Sequence, residues 1–307
     1  MIGRPFLAAA LFAEALALAA AMTLVADFHA HRASEDLGGV NIWGYRGPVM
    51  PQKVPDEVRI AIVGGDLAFG WGVAAGETTA ADLRQEVSLV IDKPGGRAHH
   101  VTAVNLGAMG LPASAYATWL ERYQYLQPDI VCVFVDPPGG ARARATLPRE
   151  ESAVFASTGY VPMLPLVLTE KGASMKSSVV ANAGKALGWI DREAYGVLHD
   201  QLPLEAASDS GAIALTIHAA LRSARGVVII APPLTPDASG RSRHQALAAS
   251  LATALRDEPR VRFVDLAEDA ELADAGLRLD GFNFSAGGHA KIATRVAPAV
   301  LDLVQSR

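Results

Sequence analysis

The chain has 307 residues, half of them hydrophobic, and a formal net charge of -5. That balance leaves no basic footprint for nucleic acid, and a single cysteine, Cys132, excludes an intrachain disulfide framework. The length allows one large domain or two small ones, and no Cys or His spacing suggests a structural zinc site.

Residues 1–28 read as a membrane segment. Phe6 to Ala26 is an almost continuous apolar run, broken only by Glu14 and Thr23. A run of that length crosses a bilayer as a helix. Arg4 and the α-amino group precede it. Asp27, Glu35 and Asp36 follow, with His29, His31 and Arg32 weakening the contrast. The positive-inside rule predicts a cytoplasmic N-terminus and a globular part on the outer, periplasmic side. A cleaved signal peptide, with small-residue sites such as Ala19 to Ala21, is the competing reading. The run exceeds a usual signal-peptide core, which favours an uncleaved anchor. Glu14 reads as protonated or as snorkelling to the nearer face, the sharper alternative being contact with another membrane protein.

Residues 29–58 read as a linker with turns at Gly38-Gly39, Pro48, Pro51 and Pro55. Trp43 and Tyr45 are expected to pack its Asn41–Pro48 stretch (NIWGYRGP) onto the domain. Residues 59–307 read as that domain. Ile60–Val63 is a short β-branched run, as in a buried parallel strand. Gly64, Gly65 and Asp66 follow, then Phe69-Gly70-Trp71-Gly72-Val73 and a helical pattern from Thr78. Asp66 therefore falls on the loop at the carboxyl end of a first strand, where open α/β sheets bind ligands. Val101–Val104 predicts a second strand, with Asn105-Leu106-Gly107 as its exit and His99 and His100 on the surface. Ser114–Tyr125 is helical in pattern. Ile130–Val135 predicts a third strand that buries Cys132, leading to Asp136-Pro137-Pro138.

The middle is less regular. Arg142, Arg144 and Arg149 read as a solvated face and Thr158–Leu168 as loop. Ser174–Leu187 and Ser210–Ala224 read as helices. Val227–Ala231 and Val261–Asp265 predict two more strands, with a helix over Gln245–Leu255 between them. The chain ends in Leu277–Val304, where Asp280, Asn283 and Gly288-His289 precede a last helix.

Arg59–Val73 resembles the opening motif of the SGNH (GDSL-like) hydrolases. There a strand ends in Gly-Asp-Ser, and some members continue Phe-Thr-Phe-Gly-Trp-Gly-Val. Phe69–Val73 matches that tail without a gap. This register puts Asp66 on the family's nucleophilic serine, and no serine occurs between Arg59 and Val73. Asn41–Pro48 resembles the Asn-x-x-Gly-Phe-Arg-Gly segment of membrane-anchored members. Asn105-Leu106-Gly107 is similar to the family's Asn-x-Gly block, which implies an oxyanion donor at the Gly107 N–H. The asparagine donor of the third block has no counterpart from Ile130 to Gly140. In the closing motif Asp280 falls on the family's aspartate, Asn283 on its catalytic histidine and His289 on a later histidine that caps or packs.

The resemblance implies a three-layer α/β/α, flavodoxin-like domain with a mostly parallel sheet of about five strands. It places Asp66, Gly107, Asp280 and Asn283 at the family's site with its chemistry degraded, and implies no cofactor. Three functions are open, the third read from the residues themselves. The first is a non-catalytic domain serving as a binding or assembly subunit of a cell-envelope or membrane complex. The second is an esterase or O-acyltransferase on envelope polysaccharide with rearranged chemistry, Asp66 acting as a carboxylate nucleophile. The third is a cation or glycan site built from Asp66, Asp136 and Asp280. The partners implied are another membrane or cell-envelope protein and, as a further class, polysaccharide.

Overall fold

The computed structural model describes residues 4–35, 39–91, 100–135, 158, 160, 209–233, 246, 247, 249–251, 253, 255, 257–279 and 282–306. The expected helix at Ser174–Leu187, the arginine face at 142–149 and most of the 158–168 loop lie outside these residues.

The strands are β1 (Glu57–Val63), β2 (His100–Asn105), β3 (Ile130–Phe134), β4 (Gly226–Ala231) and β5 (Val261–Asp265). The helices are α1 (Arg4–Glu35), α2 (Asp66–Phe69), α3 (Thr79–Ile91), α4 (Tyr116–Arg122), α5 (Asp209–Leu221) and α6 (Ala286–Gln305). The five strands form one sheet in the order β2-β1-β3-β4-β5, and every neighbouring pair is parallel. A parallel sheet covered on both faces needs apolar residues at nearly every position. β1, β3 and β4 are buried throughout, which is why β3, β4 and the Ile60–Val63 part of β1 read as apolar, largely β-branched runs.

Successive side chains point to opposite faces. Ile60, Ile62, Ile130, Cys132, Phe134, Val228 and Ile230 face α3 and α6, where Leu83, Val87, Ile292, Val296 and Val300 complete one core. Ala61, Val63, Val131, Val133, Val227 and Ile229 face α4 and α5, meeting Tyr116, Trp119, Ile213 and Ile217 in a second core. The result is a three-layer α/β/α fold preceded by one apolar helix.

The N-terminal edge of the sheet is closed by charge. Arg59, 1% exposed, donates to Glu57 at 2.6 and 2.9 Å, to Leu126 O at 2.9 Å and to Pro51 O at 3.0 Å. Asp129 takes Lys53 at 2.7 Å beside it. These bonds tie the 51–53 stretch and the 126–129 turn to the amino edge of the sheet.

Two elements depart from the pattern read in the sequence. α1 continues past Ala26 to Glu35, because Asp27 and His31 lie one helical turn apart and both are buried against the domain. The helical pattern at 114–125 is interrupted. α4 is flanked by 3-10 turns at Ala113–Ala115 and Gln124–Leu126, and the break at Tyr123 lets its hydroxyl donate to Trp43 O at 2.8 Å.

Candidate functional site

Asp66 is the first residue of α2, directly beyond the Gly64-Gly65 exit of β1. α2 is one turn long. Gly70 N–H closes it on Asp66 O at 3.2 Å, and Gly70 ends it at φ 73°, a conformation that disfavours a Cβ. The loop after β2 lies alongside: Leu106 N–H donates to Ile62 O at 2.7 Å and Ala108 N–H to Gly64 O at 3.0 Å. These bonds extend the β1–β2 pairing past the strand ends and fix one loop against the other.

Gly107 makes that approach possible. A Cβ there would stand 2.4 Å from Phe69 N and 2.6 Å from Ala68 C, both backbone atoms. Its own N–H donates to Asn105 Oδ1 at 2.9 Å, while Asn105 Nδ2 donates to Phe69 O at 3.3 Å. The backbone N–H of Gly110 reaches the half-buried Asp66 and donates to its Oδ1 at 2.7 Å. Reading the sequence singled out Gly107 and missed Gly110. Gly110 is the second glycine of the same run and has φ 69°, but a backbone donor leaves no side-chain signature.

Asn283 is buried, 7% exposed, in a tight return between Arg278 and Phe284, which pair as an isolated antiparallel bridge. Arg278 holds this return. It donates to Phe282 O at 2.7 Å and Pro233 O at 2.6 Å, and its guanidinium lies 4.2 Å from the Phe284 ring centroid. The return packs on the 69–73 turn, where Leu279 Cδ1 is 2.6 Å from the position a Cβ on Gly72 would take. Asp66, Gly110 and the turn carrying Asn283 thus share one edge of the sheet. Asp136 and Asp280 lie outside the described residues.

Two buried nitrogen side chains support the 69–73 turn. Arg46, 2% exposed, donates through its backbone N–H to Asn105 O at 3.1 Å and through Nη2 to Val73 O. Its guanidinium stacks 4.6 Å from the Phe69 ring centroid. Burial lowers its pKa to about 10. His289, 1% exposed, shares a 2.8 Å hydrogen bond between Nδ1 and Thr79 Oγ1. Burial, then the Arg46 charge, lowers its pKa to about 3, so it is neutral near pH 7. Its Nε2 lies 3.1 Å from where a Cβ on Gly70 would stand. His289 therefore packs beneath the turn, as its place at the start of the last helix suggests.

The arrangement gives a carboxylate seated on a backbone donor. That bond already occupies the Gly110 N–H. Among the described residues no group of three or more His, Cys, Asp or Glu side chains is placed to hold a metal ion.

No family model matches the sequence, and no curated protein matches it. Solved structures do. The fold is that of the SGNH/GDSL-hydrolase-like structures. TesA shares it with a TM-score of 0.50 at 12% identity, over 80% of this chain and 99% of that one. A putative lipolytic protein of the G-D-S-L family from Desulfitobacterium hafniense DCB-2 scores 0.46 at 11% identity, over 78% and 98% of the two chains. A catalytic mutant of Axe2, an acetylxylan esterase from Geobacillus stearothermophilus, scores 0.45 at 14% identity, over 81% and 95%. At such identities the likeness is one of fold, and function rests on the site.

Proposed function

We propose that this chain is a membrane-tethered SGNH-like domain that binds or assembles and does not hydrolyse esters. Its tether is α1, and its place is the outer face of the cytoplasmic membrane, as a subunit of a cell-envelope or membrane complex. The observation that carries this reading is the 2.7 Å bond from Gly110 N–H to Asp66 Oδ1. Acyl transfer needs a nucleophile, a base beside it and free donors for the oxyanion. The Gly107 N–H, the donor that the resemblance implies, is taken by Asn105 Oδ1, and a carboxylate at Asp66, held by Gly110, places negative charge where more would develop. An amide at Asn283 takes no proton near neutral pH.

The test is hydrolysis of acetyl and aryl esters by the purified full-length protein. The wild type should give no turnover above background, and neither should Asp66→Ser alone, since no base is restored. Asp66→Ser with Asn283→His should give weak turnover. Loss of either member of such a pair removes orders of magnitude in rate, so the double variant is the informative one. Robust wild-type turnover abolished by Asp66→Ala would overturn this reading in favour of a carboxylate nucleophile.

A further inference from the structure

α1 runs unbroken from Arg4 to Glu35, but its surroundings change at one residue. Side chains 5–26 are all exposed, as a span facing lipid requires, whereas Asp27 is 4% and His31 0% exposed. Tyr160 donates its hydroxyl to Asp27, and the His31 and Tyr160 rings meet edge to face at 5.8 Å. His31 Nδ1 hydrogen-bonds Val40 O at 2.9 Å, and His31 Nε2 lies 3.8 Å from Asp27 Oδ2. The domain therefore takes hold of the helix at the first residue past the apolar run, where the sequence predicts a linker.

Helix geometry sets the level of that grip. Phe6–Ala26 covers about 32 Å of helix axis, against about 30 Å of hydrocarbon, so Ala26 falls at the hydrocarbon edge. Asp27 and His31 then stand about 1.5 Å and 8 Å beyond it along the axis, and nearer if the helix is tilted. The headgroup region on each side of the hydrocarbon is about 5–8 Å thick. The Tyr160 hydroxyl and Val40 O touch these two side chains directly, so they share that layer whichever way the sheet faces. On the part of the same turns that the domain leaves open, Phe28 and Arg32 are exposed, and the Arg32 guanidinium lies 5.3 Å from the Phe28 ring centroid. An aromatic ring and a cation at this level suit a membrane interface.

We infer that the domain sits directly on the phospholipid headgroup layer, with residues 27–32 of α1 and the domain groups that clasp them, Val40 and Tyr160, inside that layer. The surface the domain meets around its tether is thus the lipid of the anchor's own bilayer. This rests on α1 spanning the bilayer, as in the function proposed above. It is independent of which edge of the sheet faces the membrane and of whether the site is catalytic.

The test is fluorescence quenching with the full chain in phospholipid nanodiscs. Cys132 is fully buried, so single cysteines can be added and labelled selectively. Thr158→Cys reports the domain beside the clasp: Thr158 is exposed and its Oγ1 accepts from Tyr160 N–H at 3.1 Å. Leu11→Cys, within α1, reports the tether. A headgroup-borne quencher should quench the label at 158. Inserting about ten Gly/Ser residues between Ala26 and Asp27 adds a flexible spacer spanning about 17 Å and should cut that quenching at least about twofold. Equal quenching at 158 with and without the spacer overturns the seat, provided acyl-chain quenching at 11 persists. No quenching at 158 in the chain without the spacer also overturns it, and this outcome decides alone if the spacer variant loses its thermal transition. No acyl-chain quenching at 11 overturns the tether, and the seat with it. The ester assay separates both from the fate of the non-catalytic reading.

Discussion

His289 is kept neutral by its surroundings, and that has a measurable cost in acid. Burial and the Arg46 charge hold its pKa near about 3, while an unfolded histidine takes up its proton near about pH 6.5. Between those values the unfolded chain binds the extra proton, so stability rises with pH there. It is complete above about pH 6.5 and is lost as the pH falls toward about 3, by up to about 1.4 kcal/mol per unit. Denaturant midpoints at pH 7.5 and pH 5 should therefore fall further for the wild type than for His289→Gln. Equal losses in the two proteins would contradict this account. Gly107 makes a second residue-level case. Its missing Cβ would meet the backbone of Ala68 and Phe69, atoms that cannot swing aside. Gly107→Ala should cost about 3 kcal/mol by urea titration, and a change under about 1 kcal/mol would mean the two loops are not locked. The sequence displayed Asp66 plainly, as an acid after two glycines at a strand exit. It placed Arg46 within the Asn41–Pro48 block but gave no sign of its stack on the Phe69 ring beneath the site. Composition tells nothing of a contact made across such a distance along the chain.

Among the elements, α6 shows how a strong pattern survives a local fault. Its buried stripe of Ile292, Val296, Val300 and Leu303 packs on the sheet and α3, yet Pro298 lies inside the helix on its exposed side. A proline there removes one backbone bond and crowds the preceding turn. Pro298→Ala should raise stability by about 1 kcal/mol or more, read as a higher thermal midpoint; a lower midpoint would show that the proline is needed for a bend. On the same face, Leu83→Ala on the neighbouring α3 opens a cavity at a fully buried position and should cost about 3 kcal/mol. The central strands were legible because a parallel sheet buried on both faces leaves apolar runs such as Ile60–Val63, Ile130–Phe134 and Val227–Ala231. The ends of α1 and α4 were not. Asp27 and His31 look like the polar flank of a membrane span until Tyr160 covers them. Likewise, the break at Tyr123 is set by a bond to Trp43, far away in sequence.

For the whole molecule, the helix of Pro5–Arg32 is long and apolar enough to cross a membrane. If it is an anchor, protein extracted from membranes should begin at its original N-terminus, and a mature chain starting beyond Ala21 would mark a cleaved leader. The order of strands carries a different consequence, for the history of the chain as it is made. β1 emerges first and takes a central place. β2 adds on one side, and β3, β4 and β5 then extend the other side in the order of synthesis. No pair can close as a hairpin, because every pair is parallel and needs a crossover. The sheet therefore grows outward from its oldest strand. The face that carries Ile60, Ile62, Cys132 and Val228 stays bare on its α6 side until α6, the youngest helix, arrives and packs beside α3. A nascent chain lacking its last turns has nearly all of its sheet residues and only part of its roof, so quality control acting on unfinished or C-terminally clipped chains would find its signal in that uncovered face.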